Sequence, residues 1–400
     1  MTIATELIHK LPKTDLHVHL DGSLRLSTLI ELAKQQQVEL PSYTEEGLRQ
    51  LVFKDRYQGL PDYLHGFKYT CAVLRDPESL ERVACELAHD NMDEGVRYIE
   101  VRFAPQLSTT PTMDLRDVLQ AVHRGLERAA KGINQRAAIR SGREPRFAFG
   151  IIGCAMRKFT PAFSPYFAQL SAVHPYAQPD QLHAMASDEL VRALVAARDH
   201  DGVAVVGFDL AGEEKGYPAG NHMAAFQYAH ANFLKKTVHA GEAYGPPSIY
   251  QAVADCHADR IGHGTHLFRE DLVDLPKAAD RARFVERLAG YIADQRVTIE
   301  VCLTSNLQTM PDIAAIAAHP FGRMLDARLS TTFCTDNRLI SNTTVTKEIA
   351  LAVAHFPITP TDLRHLIVYG FKRSFYPGSY LEKRTYVRQV IDYYQSIANV

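Results

Sequence analysis

Eight short apolar runs, rich in β-branched and aromatic residues, recur along this chain and alternate with stretches of helical spacing. The runs are Thr14–Leu20, Val96–Phe103, Arg146–Ile152, Val203–Leu210, Lys236–Ala240, Arg260–Gly262, Val297–Leu303 and Ser330–Thr335. Near-continuous hydrophobicity is what a parallel strand buried on both faces shows. Among the intervening stretches, Asp76-Pro77-Glu78 supplies an N-cap and a proline at the first helical position. Leu80, Val83, Ala84, Leu87 and Ala88 then repeat at helical spacing, and Gly95 closes the segment. Ser187-Asp188-Glu189 predicts a second helix entry, with Leu190, Leu194 and Ala197 on one face and Gly202 at its end. Eight such alternations predict an α/β fold, a (β/α)8 TIM barrel with insertions in its βα loops.

The 400 residues fit one barrel domain, 1–400, with an insertion at about 132–187 that carries Pro161, Pro165, Pro175 and Pro179. With 46% hydrophobic and 22% charged residues the chain can bury a large core. A formal net charge of −2 leaves no electrostatic footprint for nucleic acid or an anionic membrane. No segment approaches the ~18 apolar residues that span a bilayer. Six scattered cysteines lack a C-x-x-C spacing, and the first residues lack the basic flank and apolar run of a secretory signal. A cytoplasmic address and a small, roughly neutral substrate are the expectation.

Candidate chemistry concentrates at the strand ends. In Thr14-Asp15-Leu16-His17-Val18-His19-Leu20-Asp21-Gly22 the two imidazoles stand two residues apart on a strand, so they point to one face. His239 of His239-Ala240-Gly241-Glu242, His263 of Ile261-Gly262-His263-Gly264 and Asp336 of Thr335-Asp336-Asn337 each follow a buried run. The carboxyl ends of barrel strands share one mouth, so these distant positions are expected to converge there. Three imidazoles, His17, His19 and His239, plus the Asp336 carboxylate suit Zn²⁺, although iron or another divalent ion accepts the same donors. A metal in such a site lowers the pKa of a water toward neutrality. Glu242 then suits general acid/base work, His263 electrostatic stabilisation of an oxyanion, and Asp336 both metal binding and acceptance of the water's proton. Barrels with two metals often place a modified lysine at the end of the fourth strand. Here that place reads Phe208-Asp209-Leu210-Ala211-Gly212, which predicts one metal. Gly212 would let the backbone approach a ligand, and a plain turn glycine fits equally. Tyr63, Leu64 and Phe67, in the long stretch after the first strand, fit either an apolar lid or helix-core packing.

Taken in order, these segments resemble the adenosine deaminase family. The resemblance rests on Thr14 to Ser23, Gly95 to Pro105, Asp209 to Glu214, Val238 to Glu242, Arg260 to His266, Cys302-Leu303-Thr304-Ser305-Asn306 and Thr335 to Asn337. It implies zinc held by His17, His19, His239 and Asp336, Glu242 as proton donor to purine N1, and His263 beside the nucleophile. It further implies that His19 and Asp21 lie near the ribose 5′ end, and that Gly212 offers a backbone amide to purine N3. Many relatives carry a second Asp where this chain has Asn337, an amide that donates to purine N7 without needing a proton of its own. The activity implied is hydrolytic deamination of adenosine and 2′-deoxyadenosine to inosine and deoxyinosine. Deamination of adenine or of a 5′- or N6-substituted adenosine, and a non-catalytic nucleoside-binding role, are the rival expectations.

Overall fold

Eight parallel strands, β1 (Lys13–His19), β2 (Val96–Phe103), β3 (Ala148–Met156), β4 (Val205–Ala211), β5 (Lys235–Ala240), β6 (Arg260–His263), β7 (Thr298–Val301) and β8 (Thr331–Phe333), pair in sequence order. The computed structural model describes residues 3–310 and 312–398. The ring closes where β1 meets the segment after β8: His19 N donates to Asp336 O at 2.7 Å and Asp336 N to His17 O at 2.8 Å. The result is the (β/α)8 barrel that the strand–helix alternation predicts.

Each of the eight predicted runs overlaps a strand: β2 matches end to end, and the other seven differ at one end or both. β7 stops at Val301 because Leu303 already opens the helix Leu303–Thr309. β3 begins two residues later than expected and runs on to Met156. The entry at Asp76 is as predicted: its side chain accepts from Ser79 N and Pro77 is the first helical residue. The entry at Ser187 is not. That helix spans Pro179–Asp201, and the Ser187 hydroxyl donates back to His183 O four residues earlier. A proline at the first position and the Gln178–Gln181 capping box set the true start. The stretch 132–187 contributes β3 together with the helices Ala137–Arg140 and Pro165–Val173. Among the described residues no helix is long and apolar enough to cross a membrane.

The barrel interior departs from the apolar filling its strands suggested. Glu100 and Arg102 lie two apart on β2, so they share a face, and both are fully buried. Arg102 reaches Asp209 and Glu300 at 2.9 Å each. Arg260 bonds Glu300 at 2.6 Å and also pairs with Glu100. Charges so deeply buried persist only as pairs, because an unpaired ion there costs several kcal/mol.

Candidate metal centre and substrate pocket

His17 and His19 close β1 and aim the same way, as the period of two requires. His239 enters from β5, and Asp336 follows β8 with φ +58°, a left-handed conformation that the two hydrogen bonds to β1 enforce. The Nε2 atoms of His17 and His19 lie 3.1 and 3.2 Å from His239 Nε2, and each is 3.5 Å from Asp336 Oδ1. All four potential ligand atoms fall within 4.8 Å of one another, and all four residues are buried.

The outer partners decide which nitrogens face inward. His17 Nδ1 is 2.8 Å from Glu300 Oε2, and His239 Nδ1 is 3.1 Å from Asp209 Oδ2. A carboxylate only accepts, so both Nδ1 atoms carry hydrogen, and in the neutral rings that a metal requires both Nε2 lone pairs converge. Lone pairs in contact repel unless a cation lies between them. Nitrogens about 2.0–2.1 Å from a tetrahedral metal would be roughly 3.4 Å apart, close to what is seen. Charge fits too: Glu100, Glu300, Asp209 and Asp336 face Arg102 and Arg260, four carboxylates against two guanidiniums, an excess of two negative charges. The cluster is therefore suited to a divalent ion.

Asp336 is held for this role. Ser305 Oγ donates to its Oδ2, leaving Oδ1 for the cluster. Against the upward push of burial, positive charge at the cluster holds its pKa well below the usual carboxylate range. Glu242 is the opposite case. Burial, reinforced by the like charge of Asp336, pushes its carboxyl up to about 8, so it holds a proton at neutral pH. His263, at the end of β6 with φ +67°, lies with Nε2 3.8 Å from Glu242 Oε1, and that nitrogen has no hydrogen-bond partner. Burial holds the His263 imidazole neutral.

The loop carrying Glu242 is clamped by Glu214. Its carboxylate accepts from the backbone N–H of Gly241 at 2.7 Å, Glu242 at 3.0 Å, Ala243 at 2.6 Å and Tyr244 at 2.9 Å, and from Ser248 Oγ. Such a nest of amides fixes the backbone beneath Glu242.

Above the cluster lies a cavity of about 420 Å³ whose walls include His19, Asp21, Leu64, Phe67, Met156 and Gly212. That is space for one nucleoside-sized ligand. Burial raises the Asp21 carboxyl to about 7, and its Oδ1 lacks a partner. Gly212 has φ +96°, which a side chain would strain. A wider groove between helices Pro246–Ala254 and Ala278–Gln295 lies against helix faces and contains none of these groups.

Asn337 is buried beside the mouth. Its Nδ2 donates to the Tyr63 hydroxyl at 2.8 Å, which lies 2.7 Å from Ser341 Oγ, and its Oδ1 has no partner. Gly22 is what admits it: a Cβ at position 22 would lie 1.7 Å from Asn337 Oδ1. Of the three residues considered for a lid, Leu64 and Phe67 line the cavity, whereas Tyr63 is buried and hydrogen-bonded to Asn337.

Sequence reasoning did not assign Glu300, Asp209, Arg102, Ser305 or Glu214. A signal existed for two of them: Glu300 and Asp209 are lone acids inside the apolar strands β7 and β4. An acid in such a strand needs a buried cation or N–H partner.

Fold and donor set together define a (β/α)8 barrel with a cluster at its mouth that could hold a metal ion. The family model for adenosine deaminase matches residues 12–174 and 176–393, and the chain belongs to that family. An adenosine deaminase of Mycolicibacterium vanbaalenii is 37% identical over 370 residues, 92% of this chain and 91% of that protein. One of Mycolicibacterium gilvum is 36% identical over 391 residues, 97% of this chain and 96% of that protein. Among solved structures, an Arabidopsis N6-mAMP deaminase superposes with TM-score 0.71 at 26% identity, covering 97% of this chain and 99% of that one.

Proposed function

We propose that this protein deaminates adenosine and 2′-deoxyadenosine hydrolytically, giving inosine or deoxyinosine and ammonia, with one zinc ion held by His17, His19, His239 and Asp336. The observation that carries it is the convergence of three imidazole Nε2 atoms and one carboxylate beneath a nucleoside-sized cavity, with the protonated Glu242 alongside. Family membership and the named activity of relatives spanning nearly the whole chain support it.

A zinc ion in this site would supply Lewis acidity that makes water nucleophilic near neutral pH. Glu242 donates its proton to purine N1, which draws electrons away from C6 and opens that carbon to attack. Asp336 accepts the proton released as water adds to C6. His263 stabilises the oxygen of the tetrahedral centre, and return of a proton to the amino group lets ammonia leave. His19 and Asp21 meet the ribose 5′ end, the Gly212 amide donates to purine N3, and Asn337 donates to N7. One barrel domain, 1–400, carries this chemistry, with the stretch 132–187 as its insertion. The partner is a small purine nucleoside, with no nucleic acid or membrane. The six cysteines are free thiols, in keeping with a cytoplasmic address.

The test is direct. Zinc-loaded protein is expected to convert adenosine to inosine, to lose that activity on chelation and to regain it with zinc. A comparison of adenosine, 2′-deoxyadenosine, adenine and 5′-modified adenosines should place the first two ahead. Preference for adenine would overturn the nucleoside assignment.

A further inference from the structure

What His263 can do depends on which of its ring nitrogens carries the proton, and the structure decides this from a backbone amide in another loop. Phe321 N lies 3.1 Å from His319 Nδ1. A backbone N–H only donates, so His319 Nδ1 must accept. Burial pushes the His319 imidazole down to about 3, so the ring is neutral and its single proton sits on Nε2. That Nε2 is 3.2 Å from Asn306 Oδ1 and donates to it. With its oxygen so engaged, the Asn306 amide turns its Nδ2 to His263 Nδ1, 3.1 Å away. An amide NH₂ also only donates, so His263 Nδ1 accepts as well.

We infer that His319 and Asn306 are positioning residues, forming with Phe321 N–H a one-directional hydrogen-bond relay that locks neutral His263 as its Nε2–H tautomer. The inference rests on the functional assignment above and sharpens it. A locked Nε2–H is a fixed donor at the reacting centre and cannot take the proton of the attacking water. That task falls to Asp336, whose Oδ1 belongs to the cluster.

Several features suit the relay to this work. His319, Asn306 and His263 are 2%, 0% and 1% exposed, so bulk water does not compete for their bonds. Its members are anchored in secondary structure: Phe321 opens the helix Phe321–Asp326, Asn306 lies in the helix that follows β7, and His263 ends β6. The chain also ends where a donor is useful, because His263 Nε2 is the one member without a partner in the protein. Holding an imidazole in one tautomer from a distance is how outer hydrogen bonds tune reactive histidines.

Long-range 1H–15N correlation of the imidazole nitrogens reads the tautomer in the zinc-loaded full chain, with the His263 signals assigned by their loss in His263→Gln. The expected pattern is a protonated Nε2 and a bare Nδ1. The near-isosteric Asn306→Asp replaces the NH₂ donor by an acceptor, so His263 Nδ1 should gain a proton. His319→Phe frees the Asn306 amide to turn; kcat should fall about 10–100-fold with zinc content and KM largely unchanged. A protonated Nδ1 in the unmodified protein overturns the relay, as does Asn306→Asp with Nδ1 still bare. The unmodified spectrum decides even if a variant fails to fold. Protein that shows the Nε2–H tautomer but does not deaminate adenosine would sink the functional assignment and leave the relay standing.

Discussion

Beneath the histidine–aspartate cluster, Arg102 and Arg260 tie Asp209, Glu300 and Glu100 into one network in which every charge faces an opposite one. At the mouth, Asp21 Oδ1 and His263 Nε2 are also buried and have no partner. The same barrel thus pairs its charges on one level, with the Arg102 Nε–H left unbonded, and leaves functional polar atoms open on the next. Folding energetics explain the lower level, since an unpaired buried ion would unfold much of what surrounds it. They do not explain the upper one, where each unsatisfied atom costs about 1–3 kcal/mol. Such atoms are tolerated where a ligand completes them, so the contrast separates the part of the barrel built for stability from the part built for binding and chemistry.

Substitutions on the two levels should therefore fail differently. The largest effect is expected for Glu242→Gln, which keeps shape but removes the proton donor: deamination should drop by about 10⁴-fold with metal content and melting temperature near normal. Full activity in that variant would remove Glu242 from the mechanism. Next, Arg102→Met strips Asp209 and Glu300 of their shared cation and should lower folding stability by about 3–5 kcal/mol, seen in denaturant titration. A loss of activity without a loss of stability there would erase the contrast between levels.

Glu214→Gln lies between the two classes. It keeps the size of the group but presents an NH₂ to amides that need an acceptor, so the Glu242 loop should loosen. We expect kcat to fall roughly tenfold with KM and zinc content preserved. The pH profile offers a subtler check. With the Glu242 carboxyl raised to about 8, the competent protonated form is full below that pH. Activity should hold through neutrality and decline as pH rises through about 8, and a decline already complete by pH 6 would count against the assignment. Smallest of all should be Asn337→Asp, which exchanges an amide donor for a carboxyl that must stay protonated to donate. A change under about tenfold in kcat/KM, growing with pH, is expected.

Much of the candidate site could be read from the chain because its donor residues sit at strand ends and barrel topology sends all strand ends to one place. His17 and His19 were legible from their spacing, and His239, Asp336, Glu242 and His263 from their position after apolar runs. The supporting groups were not. Glu300, Asp209 and Glu214 act through partners 283, 30 and 27 or more residues away, and no local pattern encodes those distances. Nothing adjacent to His319 in the sequence, where Pro320 follows it, marks a role. Its role appears only once Phe321 N, Asn306 and His263 are seen in line. The misplaced helix entry at Ser187 has a similar origin, since a serine that resembles a cap from its neighbours is, in the folded helix, bonded back to His183.

What the order of residues determined by itself was periodicity: which segments become buried parallel strands, and therefore which reactive side chains arrive at a common rim. It also determined the donor types, imidazole and carboxylate. Only the tertiary structure decided protonation, because that depends on what each group touches. The same carboxyl chemistry is ionised in Asp336, within the cluster, and protonated in Glu242, buried beside a like charge, and neither environment is written in the residues adjacent to it.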